Sequence, residues 1–244
     1  MRVTQIWRFP VKSVGGESML AADVAEWGVV GDRGWSIHDT ETGTTLTARR
    51  TPELLFASAR IVHDELIVRL PDGTEIGEDG DAELSAWLGR DVELRAADDD
   101  DEDDGEIDGP TYEVPLDFEN DADWVSWQGP GGAFHDSKWS RISLVSTGSL
   151  GDWDIRRFRT NIVVDGEGED DFVGDHVRIG DQAELAVFKQ IDRCVMITRP
   201  QPDLDRDIDL LKTINRDRAN LLSIGCLIAA PGPIAIGDRV THVA

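Results

Sequence analysis

Apolar residues along this chain recur in short runs broken by Gly, Pro and Asp, the pattern of closely spaced strands. In residues 61–70 (IVHDELIVRL) the alternation sets Leu66, Val68 and Leu70 on one face, and Pro71-Asp72-Gly73 supplies turn chemistry, which predicts a strand followed by a turn. Helical periodicity is rare. Residues 81–90 place Leu84, Trp87 and Leu88 on one side, with Asp81 able to cap the start and Gly89 to end the helix. The segment DIDLLKTINRDR (207–218) gathers Leu210, Leu211 and Ile214 on one side and exposes Lys212 and Arg216, a short helix beginning near Asp207 or Asp209. Residues 141–146 (RISLVS), 160–166 (TNIVVDG), 176–188 (HVRIGDQAELAVF) and 233–243 (PIAIGDRVTHV) read as strands, with Gly180-Asp181 and Gly237-Asp238 as hairpin turns. The prediction is a mainly β protein, a barrel or barrel-like sandwich with a few short helices and no internal repeat.

Charge adds a division and an environment. Residues 98–104 (DDDDEDD) are consecutive carboxylates that repel one another if packed, so 96–110 is expected to be a solvated linker between a portion spanning 1–95 and one spanning 111–244. Across the 244 residues, 49 acidic side chains face 24 basic ones, a formal net charge of -25. Such a surface opposes the counterion-release and polybasic terms that bind nucleic acid and anionic lipid, so neither nucleic acid nor membrane is an expected partner. Salt shortens the range of this self-repulsion from about 10 Å at 0.1 M to about 3 Å at 1 M. A halophilic, salt-rich cytoplasm is therefore the expected setting. The N-terminus lacks the apolar core of a signal peptide, and no run approaches the roughly 20 apolar residues of a membrane-spanning helix, so a cytoplasmic location is expected.

In so acidic a chain, the places where positive side chains gather carry the information. They are Lys12 and Ser13 with Arg33, the pair Arg49-Arg50, and Arg156, Arg157 and Arg159, with Arg193 beside Cys194. Arg offers a planar fork to phosphate oxygens and Lys a point charge, so convergence of these groups would make an anion site. Each taken alone could equally pair with a surface carboxylate. Cys194 and Cys226 are the only cysteines, which excludes a disulfide framework and a protein-ligated iron–sulfur cluster. Cys226 sits in the apolar stretch SIGCLIAAPG and is assigned to the core. The guanidinium next to Cys194 favours the thiolate, the form that binds a soft metal, although a lone cysteine is also compatible with an inert buried role. The Gly-rich piece GEGEDD (166–171) carries carboxylates that would repel a phosphate, and the five histidines show no metal-ligand spacing.

Longer stretches carry a resemblance. PVKSVGG (10–16), WGVVGDRGW (27–35) and TARRTPEL (47–54) resemble the β-barrel domain that precedes MOSC domains. FHD (134–136), SLVSTGSL (143–150), RFRTNIVV (157–164), DRC (192–194), LLKTINRDR (210–218) and IGDRV (236–240) resemble the MOSC domain itself. The chain is thus similar to the C-terminal domain of molybdenum cofactor sulfurases and to the mitochondrial amidoxime reducing component. The resemblance implies an N-terminal β-barrel-like domain followed by a MOSC β-barrel domain. It implies a molybdenum-molybdopterin cofactor with Cys194 as the protein ligand to molybdenum and the catalytic residue. It further implies pterin and phosphate contacts from Lys12, Ser13, Arg33, Arg159 and Asn161, with Ser146, Thr147, Ser149 and Arg193 as additional candidates. The implied activity is reduction of a small N-hydroxylated compound, with electrons from a separate reductase or ferredoxin-type protein. The alternative is a non-catalytic carrier of molybdenum cofactor or sulfur.

Overall fold

The computed structural model describes residues 1–97, 111–115, 124–128 and 132–243. The acidic run 98–104 and almost all of the expected linker therefore lie outside the described residues. Strands dominate the rest. In the first half they are β1 (Val3–Arg8), β2 (Glu17–Met19), β3 (Ala21–Ala25), β4 (Gly28–Val29), β5 (Trp35–Asp39), β6 (Ser58–Val62), β7 (Glu65–Arg69) and β8 (Glu75–Ile76), followed by helix α1 (Asp81–Leu88) and β9 (Val92–Ala96). Then come β10 (Thr111–Pro115), β11 (Trp124–Gln128), β12 (Ile142–Ser146), the short helix α2 (Thr147–Leu150), β13 (Ile162–Val164), β14 (His176–Ile179) and β15 (Ala183–Asp192). Helix α3 (Ile208–Arg218) leads into β16 (Leu221–Ala230), β17 (Gly232–Ala235) and β18 (Val240–Val243).

The main sheet runs β18-β14-β15-β16-β12-β13-β1-β2. Its β12–β13 neighbours are parallel, while the other pairs in it are antiparallel. β1 and β2 join six strands of the second half in the main sheet, and β3 pairs with β17, so the chain's first residues share sheets with its last. The reason is visible in the side chains. Val3 and Ile6 of β1 share a buried cluster with Ile142, Leu144, Ile162, Val177, Leu185, Ile224 and Cys226. Each fully buried aliphatic side chain there contributes about 1.5–3 kcal/mol over its exposed state. A second cluster, with Leu54, Leu66, Val68, Leu84 and Val92, fills the N-terminal β region. A third packs Leu210 and Ile214 of α3 against Phe158, Ile197 and Leu222.

Three local expectations are corrected. Residues 61–70 are not one strand but a hairpin: His63 and Asp64, both at positive φ, turn β6 into β7, and Leu66 and Val68 remain on the buried face as expected. Asp81 does not cap α1; Gly80 occupies that position, and the Asp81 carboxylate instead accepts a hydrogen bond from Leu94 N at 2.8 Å, tying the helix to β9. Gly89 does end the helix in the left-handed conformation. Gly180-Asp181 joins the paired strands β14 and β15, but Gly237-Asp238 joins β17 to β18, which lie in different sheets. It is a turn between layers and not a hairpin. Helix α3 starts as predicted, with the Asp207 side chain accepting from Asp209 N and Leu210 N.

Candidate functional site

Two loops of the N-terminal half are laced together over the main sheet. Lys12 N donates to Trp35 O, Arg33 N to Phe9 O, and Phe9 N to the buried Asp32 carboxylate at 2.7 Å. The glycines of the first loop are sterically required, since a Cβ on Gly16 would lie 2.2 Å from Arg8 O and one on Gly15 would lie 2.9 Å from Ala57 O. These bonds aim Lys12, Ser13 and Arg33 at one cavity of about 420 Å³, within the range of small-molecule sites. Thr47 and Arg49 line the same cavity, as do His135 and Asp136, Arg141, Ser143, Arg159, Asn161, and Lys189 through Ile197 apart from Gln190 and Val195.

The charges in this cavity are held with care. The Lys12 ammonium, buried to 4% exposure, pairs with Asp136 and donates to Phe134 O at 3.1 Å. Burial pushes the Lys12 pKa down, and Arg33 and Arg159 push in the same sense, while Asp136 opposes them. Burial among the cavity walls would raise the Asp136 carboxyl, but Lys12, then Arg33 and Arg49, hold it at about 2. Asp136 nonetheless faces the cavity's own solvent, with its side chain 82% exposed. Arg33 pairs with Asp32 and donates to Arg159 O at 3.2 Å. Both the Arg33 and Arg159 guanidiniums flank the Phe9 ring, 5.6 and 4.4 Å from its centroid. Arg159 donates to Val14 O and Val11 O, and burial, followed by repulsion from Arg33, lowers its pKa to about 9, so it stays charged at neutral pH.

Backbone strain collects at the same place. Ser13, Arg33 and Arg159 lie at φ 64°, 56° and 52°, a region that costs a non-glycine residue about 1–2 kcal/mol. Such outliers persist where the surrounding structure over-determines them, which is common at binding sites. Strain and convergent charge thus coincide on Arg33 and Arg159, and Ser13 adds a hydroxyl under the same strain.

Cys194, partly exposed, lies just beyond the end of β15 at the start of the 3-10 turn Val195–Thr198. Its position is set by its neighbour. Arg193 donates from Nε to Leu222 O at 2.9 Å, from Nη1 to Phe158 O at 3.1 Å, and from Nη2 to Ser223 Oγ. The Arg193 backbone is clamped as well, its N–H to Asn220 O at 2.9 Å and its carbonyl from Asn220 Nδ2 at 2.7 Å. Arg193 therefore works as the staple that fixes Cys194, with most of its donors already used. Asn161 is similarly committed: its Oδ1 accepts from Ser143 N and Oγ, each at 3.1 Å, and its Nδ2 donates to Trp7 O.

The structure brings Lys12, Ser13, Arg33, Arg159, Asn161, Arg193 and Cys194 together in one cavity. It does not bring Ser146, Thr147 and Ser149 there. These sit at the far end of β12 from the cavity-lining Ser143, where Ser146 Oγ caps α2, Thr147 Oγ1 donates to Gly166 O and Ser149 Oγ donates to Glu169. Of the Arg156, Arg157 and Arg159 cluster only Arg159 reaches the cavity. Arg156 pairs with Asp154, and Arg157 donates to Ile197 O, Arg199 O and Asp205 O. His135, Asp136, Arg141 and Lys189 were not identified as site residues from their sequence spacing; the short HD pair after Phe134 was the one available signal for two of them. Cys226 is in the core, its thiol pushed up to about 12 by burial.

Among the described residues no three His, Cys, Asp or Glu side chains converge as a metal site. The protein thus offers a single sulfur beside a set of cations. That donor set fits a metal whose other ligands arrive with an anionic organic cofactor.

The MOSC N-terminal beta barrel domain matches residues 1–109, and the MOSC domain matches residues 135–241. Among solved structures, the YUAD protein from Bacillus subtilis is 12% identical over 98% of this chain and 93% of that one, with a TM-score of 0.48. YiiM from Geobacillus stearothermophilus is 18% identical over 57% of this chain and 75% of its own, with a TM-score of 0.37. No curated protein matches the chain.

Proposed function

This chain belongs to the MOSC family, and on that premise we propose that it holds a molybdenum-molybdopterin cofactor through the Cys194 thiolate and reduces N-hydroxylated small molecules. The observation that carries the reading is the cavity of a protein of net charge -25, in which Cys194 shares the walls with Lys12, Arg33, Arg49, Arg141, Arg159 and Lys189. Lys12, Ser13, Arg33, Arg159 and Asn161 would hold the pterin and its phosphate. When bound, the cofactor supplies two-electron chemistry that takes an oxygen atom from a substrate.

The residues of the chain do the rest. Arg193, with Asn220, fixes the Cys194 backbone so that the sulfur presents one geometry. The flanked Phe9 ring and the Asp32 carboxylate keep Arg33 and Arg159 in place before a ligand arrives, so that little ordering is needed on binding. Overall, the N–O bond of the substrate breaks, and two electrons and two protons yield an amine or amidine plus water. The electrons come from a separate reductase or ferredoxin-type protein, and the setting proposed is a salt-rich cytoplasm. Among the described residues no helix is long and apolar enough to cross a membrane.

The test is turnover of an N-hydroxy-amidine by cofactor-loaded protein in high salt, with a reduced viologen as electron source. Amidine formation that disappears in Cys194→Ala supports the reading. Cofactor or persulfide on Cys194 without amidine formation would replace it with the carrier role.

A further inference from the structure

The cavity's cations are already spoken for, with one exception. Lys12 and Arg33 have carboxylate partners, and Arg159 and Arg193 have carbonyl partners. Arg141 lies over the Trp27 ring, and it and Arg49 have further interactions. Lys189 alone among the lysines and arginines of the cavity has no side-chain hydrogen bond or ion pair among the described residues. In a chain with 49 carboxylates to 24 basic groups, an unpaired ammonium facing a cavity is unexpected.

The backbone explains how it comes to face that way. β15 pairs with β16 with shifts of register at Glu184/Leu185, Val187/Lys189 and Gln190/Asp192; at the second, Val187↔Cys226 is followed by Lys189↔Gly225, so Phe188 is an extra residue on β15. A bulge of this kind bends the strand and re-aims its side chains, and such bulges are frequent beside functional sites. Beyond it, Lys189 and Ile191 both line the cavity on the way to Cys194. The extra residue itself is used at the surface. Phe188, 48% exposed, stacks on Trp139, 42% exposed, with ring centroids 4.4 Å apart and planes 4° from parallel. Trp139 stands in the segment whose Ser137 and Ser140 line the cavity. The two exposed rings thus adjoin the cavity's lining without belonging to it, Phe188 next to Lys189 and Trp139 between Ser137 and Ser140, and the Lys138 ammonium lies over the Trp139 ring, 4.9 Å from its centroid.

We infer that Lys189 and the Trp139–Phe188 stack form an entry subsite that selects ligands carrying a carboxylate on a flat aryl body. The inference rests on the reading of this cavity as a small-molecule site and names which substrates enter it. The four residues Lys12, Ser13, Arg33 and Arg159 come from loops of the N-terminal half and the segment before β13, whereas Lys189 comes from β15, the strand that leads to the cysteine. The anion at Lys189 is thus assigned to the incoming molecule and the anion at the loops to the cofactor. The carboxylate pairs with the ammonium, and the aryl face and edge meet the exposed rings.

The 244-residue chain is titrated, by calorimetry at constant ionic strength, with benzoate, benzamide and cyclohexanecarboxylate. Wild type should bind benzoate about tenfold more tightly than benzamide, the scale of a charge-assisted hydrogen bond. Lys189→Met and Lys189→Gln should each erase that preference without changing benzamide binding. Phe188→Ala should weaken benzoate about fivefold and cyclohexanecarboxylate much less. Equal binding of benzoate and benzamide by wild type, or an unchanged preference in both Lys189 variants, overturns the proposal. Molybdenum content is measured on the same samples. Discrimination without metal would leave the subsite standing and remove the molybdenum reading, and metal without discrimination would do the reverse.

Discussion

Lys12 and Asp136 form an ion pair that joins the first loop of the chain to the segment leading into β12, with the ammonium buried and the carboxylate open to the cavity. The pair ties the two matched regions together at the site itself and leaves Asp136 ionised down to a pH of about 2. Asp136→Asn should lower the urea unfolding free energy by about 1 kcal/mol, the low end of the cost of a lost charged partner, because water in the cavity takes up part of the loss. It should also tighten binding of inorganic phosphate, since it removes the carboxylate among Lys12, Arg33 and Arg49. An unchanged urea midpoint together with unchanged phosphate affinity would show that the pair does neither.

Strain at Ser13 separates stability from function. At φ 64° a serine is disfavoured and a glycine is not, although glycine costs more entropy to order. Ser13→Gly should leave the melting temperature unchanged or raise stability by up to about 1 kcal/mol, while retention of molybdenum falls. A clear loss of stability would mean that the hydroxyl serves the fold and not the ligand.

His135 sets a pH response whose direction follows from its burial. Burial, reinforced by Arg33, lowers its pKa from 6.5 to about 3, and its Nε2 meets Trp27 O at 2.8 Å, so that nitrogen donates and the ring is neutral. Above pH 6.5 neither folded nor unfolded chain protonates it. Between 6.5 and about 3 the unfolded chain takes up a proton that the folded one refuses, so the contribution to stability is lost as pH falls, by about 1.4 kcal/mol per unit inside the window. Protonation of the surface carboxylates works the other way by relieving repulsion. The difference between wild type and His135→Gln therefore isolates the effect. The variant should lose less stability than wild type between pH 6.5 and 4.5, measured by urea titration at each pH. Parallel curves would contradict the assignment.

Much of this was legible in the chain. The short apolar runs located β12 through β15, the first two buried at every position between two clusters, and the Asp207 cap and the Leu210–Ile214 spacing located α3, whose apolar side packs into one of them. The hairpin in 61–70 was missed because His63 and Asp64 adopt positive φ without a glycine to announce it. For the site, motif matches brought out Lys12, Ser13, Arg33, Arg159 and Cys194, while Ser146, Thr147 and Ser149 fell at the far end of their strand. A motif names residues close in sequence, and a strand of even five residues separates its ends by about 13 Å. Lys189 was silent for the same physical reason in reverse. Its aim depends on a bulge set by pairing with β16, which nothing adjacent in sequence encodes.

The proposed metal ligand is Cys194 and not Cys226. Protein purified in high salt from a host that makes the cofactor is analysed for molybdenum in wild type, Cys194→Ala and Cys226→Ala. Near-stoichiometric metal is expected in wild type and in Cys226→Ala, since the native Cys226 thiol is sealed in the core, and little in Cys194→Ala. Molybdenum in Cys194→Ala at the wild-type level would contradict that assignment.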